Sequence, residues 1–250
     1  MPGFSGAWKN RLSGNTVVWF AAQGGGGRFP WFSPEAISAR VGWLFWIHWN
    51  GGTYPGRFSL TVDFCGIRIF GGLARRAAAS GHYVGPHSDG HLLYCAWEDR
   101  NRTLVAREAF VEDLRANLRE LDGIGVPEDA VSWWIPPYEW HNREVAAWAR
   151  EEGYPLCSYT PGTLSHADYT EETAPNYRSN AVIRQSILDR VAAEPDGLDG
   201  FLLLTHVGAG PGRKEKFYRE LDGLIGELRG SGHTFCSLPE LLAGVPPGGG

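Results

Sequence analysis

The 250-residue sequence has only four cysteines, Cys65, Cys95, Cys157 and Cys236, widely spaced and without a CxxC pair. That excludes a zinc knuckle and a dense disulfide scaffold, and leaves four small thiols of the kind usually buried. There is no excess of basic residues: 23 Lys plus Arg stand against 28 Asp plus Glu, a formal net charge of -5. A nucleic-acid partner needs a concentrated basic face, and this sequence shows none. No uninterrupted apolar stretch of about 18 residues occurs, so no membrane span is expected. The N-terminus Met1–Leu12 lacks the apolar core of a signal peptide, and the sequence as it stands reads as soluble and cytoplasmic. A short-period repeat is also missing, and with 43% hydrophobic and 13% aromatic residues the chain is neither collagen-like, coiled-coil nor disordered.

What is present is unevenly distributed. Six of the 11 Trp (Trp8, Trp19, Trp31, Trp43, Trp46, Trp49) and the run Gly24–Gly27 fall in the first 50 residues. Residues 1–57 therefore form an atypical N-terminal segment, where Trp43–Ile47 reads equally as strand or helix. From Gly72 onward the pattern is regular. A helical stretch over 72–79 precedes a short strand at His82–Val84. Phe110, Leu114, Leu118 and Leu121 predict a helix over 107–121. Val131–Ile135 reads as a buried strand closed by Pro136-Pro137, Asn142 as the N-cap of a helix ending before Gly153, and Leu156–Thr160 as the next strand. Ser179–Ala193 follows as a helix with Val182, Ile183, Ile187 and Val191 along one side. Phe201–Thr205 is a strand apolar enough to be buried on both faces, and a helix over 214–229 carries Phe217, Leu221, Leu224 and Leu228 in a stripe. Alternating strands and helices of this kind predict an α/β fold with a parallel sheet, closed or nearly closed into a barrel.

In parallel α/β folds reactive groups collect at the carboxyl ends of strands. Here four strand ends carry His87, Pro137-Tyr138-Glu139, Thr160-Pro161-Gly162 and His206. His87-Ser88-Asp89-Gly90-His91 spaces two imidazoles so that both reach one divalent cation in a helix or tight turn, given a third ligand such as a carboxylate. Asp89 between them is a ligand, an acceptor orienting one imidazole, or a turn residue capping backbone amides. His206, with Gly208 behind it, has room for a substrate, and an imidazole suits proton donation near neutral pH; the alternative is a histidine satisfied by a carbonyl.

Three segments together, Gly81–His91, Pro136-Pro137-Tyr138 and Leu202–His206, resemble the polysaccharide deacetylase family of carbohydrate esterases, which act on substrates of the chitin and peptidoglycan type. That family carries a G-H-x-[IVL]-G-x-H-[ST]-x-x-H metal motif, an R-x-P-Y-like groove wall and a closing L-x-H motif. Gly232–Leu242 is similar to its last strand and helix, so the resemblance spans residues 72–242. It implies a distorted (β/α) barrel, expected over 58–245 as a single domain, that hydrolyses N-acetyl or O-acetyl groups on glycans. By the same resemblance His87 and His91 hold a divalent cation, zinc being the expectation, and His206 protonates the departing amine. The Tyr138 backbone N–H helps stabilise the oxyanion, while Pro137, Tyr138, Glu139 and Trp140 line the glycan groove, Trp140 being equally a candidate for the core, and Asp89 supports the metal pair.

The departure is at the family's first motif, T-F-D-D, whose carboxylates serve as base and metal ligand. The nearest imitation is Thr61-Val62-Asp63-Phe64, only 24 residues before His87, and no Asp precedes Asp63. Either Asp63 is the surviving carboxylate, taking the base and third-ligand roles, or Phe58–Phe64 is the family's next strand and the first motif belongs near Val17–Gln23. The function expected is metal-assisted acetyl hydrolysis on an acetylated oligo- or polysaccharide. A glycan-binding barrel without turnover, and a hydrolase of other non-peptide C–N bonds, are the alternatives.

Overall fold

The computed structural model describes residues 16–22, 59–62, 64–193, 197–206, 209 and 212–242. Five strands and six helices follow in chain order: β1 Thr16–Ala22, β2 Ser59–Val62, α1 Phe64–Ala79, β3 Tyr83–Pro86, α2 Arg107–Gly123, α3 Arg143–Glu151, α4 Asn180–Ala193, β4 Phe201–His206, α5 Leu221–Gly230, β5 Thr234–Cys236 and α6 Leu238–Leu242. The expectation for Trp43–Ile47 falls outside the described residues. By contact the chain groups into two units, the first running from β2 to Ser158 and the second containing β1 and everything from Tyr159. The described strands do not trace a closed barrel.

In the first unit β2 pairs in parallel with β3, Ser59 opposite Tyr83 and Val62 opposite Pro86. All four residues of β3 are buried. The strand expected over 131–135 is reduced to one parallel bridge, Trp134 to Leu156, with Trp134 N–H donating to the Pro155 carbonyl (3.2 Å) and Cys157 N–H to that of Trp134 (2.8 Å). Pro136, Pro137 and Pro155 supply no N–H, so a longer ladder cannot form there; the strand expected at 156–160 is cut short in the same way. Packed beside this bridge, α2 buries Phe110, Leu114, Leu118 and Leu121 as its spacing predicts. Phe110, Tyr94 and Trp134 meet edge to face with ring centres 5.3–5.6 Å apart. Asn142 caps α3 as expected, its Oδ1 accepting from Val145 N–H at 3.0 Å.

In the second unit β1 pairs with β4 and, over Thr16–Val18, in parallel with β5. β4 is buried along nearly its whole length. The helix expected over 214–229 splits into a 3-10 turn at Phe217–Arg219 and α5, and the predicted stripe of Phe217, Leu221, Leu224 and Leu228 is buried. On α4 the core face consists of Ile183 and Ile187, while Val182 is exposed. Adjacent helix positions lie about 100° apart, so Val182 cannot share the stripe with Ile183.

Candidate active site

In the first unit the turn after β3 is built on two polar residues of α2. The Asp113 carboxylate accepts from Ser88 Oγ (2.6 Å), Gly90 N–H (2.7 Å), Asp89 N–H (3.3 Å) and the Tyr94 hydroxyl (2.6 Å). One helical turn on, Asn117 Oδ1 accepts the amides of His87 (2.9 Å) and Ser88 (3.2 Å). Both side chains lie on the buried stripe of α2. This anchoring holds Ser88 at φ 103° and His91 at φ 50°. Tyr138 (φ 61°) and Glu139 (φ 50°) on the Pro136-Pro137 turn are the other two non-glycine residues with positive φ among those described. A left-handed backbone costs a residue with a Cβ about 1–2 kcal/mol, and its concentration at two motif turns marks a site whose geometry is imposed by its surroundings.

His87 and His91 are buried, with ring centres 5.2 Å apart. Two imidazoles bound through nitrogen to one tetrahedral cation, at about 2.0–2.1 Å per bond, have ring centres roughly 5 Å apart, so the pair fits a shared cation. The His87 Nδ1–H donates to the Ile135 carbonyl at 3.0 Å, which leaves Nε2 as the nitrogen with the lone pair that a metal needs. The acceptor at His87 Nδ1 is therefore Ile135, and the residue capping the loop amides is Asp113. Burial, with Asp113 nearby, holds the half-buried Asp89 carboxyl above the ordinary carboxylate range. Among the described residues no group of three His, Cys, Asp or Glu side chains comes together as a cation site. Asp63 lies outside the described residues.

Of the residues expected to line a groove, Tyr138 stands against this pair. Tyr138 is exposed and meets the His91 ring edge-on at 4.5 Å, and the preceding Pro137 is buried. Glu139 and Trp140 close the turn, their amides donating to the carbonyls of Pro136 (3.0 Å) and Pro137 (3.2 Å). Trp140 gives its indole N–H to Ala96 (3.2 Å) and is covered by the Arg100 guanidinium 4.3 Å from the ring centre. Arg100 also donates to the His141 carbonyl.

The second unit carries the histidine expected to act as proton donor, His206. At the end of β4, His206 donates its backbone N–H to Asp168 Oδ2 (2.8 Å) and its Nδ1–H to Asp168 Oδ1 (2.7 Å). Both side chains are buried, at 8% and 1% exposure. A carboxylate holding both donors fixes the ring and its tautomer, with Nε2 as the nitrogen that exchanges protons. Tyr169 lies edge-on to His206 at 4.9 Å, and His166, stacked on Tyr159 at 4.7 Å, is held below the ordinary histidine range by burial and by His206. The turn carrying Asp168 is pinned by buried Arg213, which donates to the Thr170 carbonyl (3.1 Å) and to Asn180 Oδ1 (2.8 Å).

Reasoning from sequence missed Asp113, Asn117 and Asp168. The first two were readable: positions 113 and 117 fall on the Phe110–Leu121 core stripe, where a buried Asp and Asn need partners. Asp168 sits in a 3-10 turn, Ser165–Tyr169, with no periodic pattern to single it out.

No family model and no curated protein matches the sequence. Solved structures do. The CE4 domain of a multidomain xylanase from the hindgut metagenome of Trinervitermes trinervoides is 16% identical with a TM-score of 0.63, covering 94% of each chain. The peptidoglycan deacetylase PdaC from Bacillus subtilis is 15% identical with a TM-score of 0.59, over 91% of this chain and 90% of that one. A mutant of a CE4 family pseudoenzyme from Bacillus anthracis, with restored enzymatic activity, is 16% identical with a TM-score of 0.61, over 92% of this chain and 68% of that one. The fold is thus that of carbohydrate esterase family 4 deacetylases, active and inactive, and the resemblance read from the sequence holds at that level.

Proposed function

We propose that this chain is a deacetylase-type hydrolase, a distorted (β/α) barrel that removes acetyl groups from N-acetylated or O-acetylated glycans by metal-assisted attack of water. The observation that carries the reading is the His87/His91 pair, fixed by Asn117, Asp113 and Ile135 at a spacing that suits one cation and set against the exposed Tyr138 ring. His87 and His91 would hold a divalent cation, such as zinc, which when bound supplies Lewis acidity and a more acidic water. The remaining roles fall to the chain itself. The Tyr138 backbone N–H is assigned to the oxyanion of the tetrahedral intermediate, and Pro137, Glu139 and Trp140 to the groove wall. His206 donates a proton from Nε2 to the departing amine, while Asp168 holds Nδ1–H and stabilises the imidazolium.

One observation favours a second reading, a glycan-binding barrel that kept the groove and lost the base. Two strands, β1 and β2, precede β3, and β2 is the strand that pairs with it. Asp63 follows β2, which suits the family's second strand, whereas β1 ends in Phe20-Ala21-Ala22 where the first motif would put Phe-Asp-Asp. Acetate release from acetylated chitin or xylan oligomers, with and without a chelator, separates the two. Chelator-sensitive release abolished in His206→Ala supports the hydrolase; saturable oligosaccharide binding with no acetate, and affinity unchanged in His206→Ala, supports the binding barrel.

A further inference from the structure

Between His91 and α2 the chain makes a hairpin that none of the motif segments includes. Leu104 N–H donates to the Tyr94 carbonyl (2.8 Å), Ala96 N–H to Arg102 (2.9 Å) and Arg102 N–H to Asp99 (2.9 Å), around an antiparallel bridge between Cys95 and Thr103. The base of the hairpin is buried, with Tyr94 bonded to Asp113 and Cys95 and Ala96 enclosed. Its tip carries Trp97, which at 53% exposure is the most exposed large apolar side chain among the described residues.

Trp97 is held in place. Its ring centre lies 5.4 Å from Tyr138, edge-on, and 5.4 Å from Trp140 at a tilt of 31°. Trp140 is itself locked by its bond to Ala96, the residue before Trp97, and by Arg100. Tyr138 in turn touches His91. A continuous aromatic path thus runs from the histidine pair to the hairpin tip, and its outermost ring faces water. The neighbouring hairpin residues Glu98, Asp99, Asn101 and Arg102 are all exposed and polar. An indole held rigid by two neighbouring rings and flanked by hydrogen-bonding groups offers its exposed side to a ligand with one apolar face and a polar rim. A pyranose ring has that form.

We propose that Trp97 is a specificity-determining residue that stacks on a sugar neighbouring the one at the histidine pair. The inference rests on the glycan reading of the same site, and holds whether or not turnover occurs there. The Trp97 ring supplies the platform, the hairpin rim the hydrogen bonds to hydroxyls, and Trp140 with Arg100 the rigid support.

Calorimetric titration of the full chain with N-acetylglucosamine and with its β-1,4-linked tetramer tests this. Wild type is expected to bind the tetramer more tightly than the monomer. Trp97→Ala should weaken tetramer binding about tenfold while changing monomer binding by less than about twofold, and Trp97→Phe should recover most of the loss. Matching thermal melts of the three proteins exclude unfolding as the cause. If Trp97→Ala binds the tetramer as wild type does, or loses both ligands equally, the Trp97 assignment is overturned while the glycan reading stands. Wild type binding neither ligand overturns both.

Discussion

Asp168 offers the sharpest perturbation, because one carboxylate takes two hydrogen bonds from His206 at 2.8 and 2.7 Å in a buried setting. Asp168→Asn keeps the shape but replaces one acceptor oxygen by an NH2 donor. One of the two His206 donors must then face another donor, and losing a charge-assisted hydrogen bond at a buried site costs about 1.5–3 kcal/mol. The ring can relieve the clash only by moving its proton to Nε2, so that Nδ1 accepts from the new amide. In that tautomer Nε2 has no lone pair with which to be recharged, and general acid catalysis, ordinarily a factor of about 10²–10⁴, is lost. Three measurements follow: denaturant unfolding should lose about 1.5–3 kcal/mol, nitrogen NMR of the imidazole should report the change from Nδ1–H to Nε2–H, and acetate release should fall by about 10²–10⁴. A variant that keeps the Nδ1–H tautomer and wild-type stability would refute the account of the pair. Full turnover despite the changed tautomer would remove His206 as proton donor.

Gly85→Ala should destabilise the protein by about 1–3 kcal/mol in urea unfolding, since a Cβ there would stand 2.6 Å from the Tyr83 hydroxyl. That hydroxyl cannot retreat, being bonded to the Trp133 carbonyl (2.8 Å) and amide (2.9 Å); a variant as stable as wild type would show that it can. Burial and Arg100 push the His141 imidazole down to about 4, so the folded state holds it neutral while the unfolded chain takes up a proton below about 6.5. Stability should therefore be intact above that pH and fall, by up to about 3 kcal/mol, as the pH drops toward 4. His166 acts in the same direction, so His141→Gln should flatten the acid limb in part; an unchanged limb would contradict the assignment. If the first motif was lost from β1, Ala21→Asp with Ala22→Asp should raise cation affinity and acetate release, and Asp63→Asn should leave both alone. The opposite pattern would return the role to Asp63.

Periodicity carried most of the fold. The stripe of α2, the Asn142 cap and the apolar run of β4 are local signals, and the structure reproduces each within a residue or two. The segments around 131–135 and 156–160 were harder because apolar β-branched and aromatic content says that a stretch is extended, not that it finds ladder partners. Prolines at 136, 137 and 155 decide that. That His87, His91 and Tyr138 come together was legible, since their spacing and strand-end position are sequence properties. Asp168 was not, because its meaning depends on the end of β4 meeting a turn 38 positions earlier in the chain. Trp97 was also invisible: exposure at the tip follows from the closure of the 94–104 hairpin, not from any pattern in its residues.

The two units solve one problem in the same way. In each, a buried carboxylate takes a backbone amide from a histidine-bearing segment: Asp113 takes those of Asp89 and Gly90 between His87 and His91, and Asp168 takes that of His206 itself. Neither arrangement is cheap. Burying a carboxylate is repaid only if nearly all its lone pairs are met, and the first turn also carries two left-handed residues with side chains. A loop with no ligand to hold could relax Ser88 and His91 into ordinary turn geometry and give Asp113 up to solvent. The turn is instead fixed from α2 by Asp113 and Asn117, which is the arrangement the proposed His87/His91 cation pair requires. Under the proposed function a missing base on β1 would remove the chemical step without touching the residues that hold His87 and His91, so binding and turnover have to be measured separately.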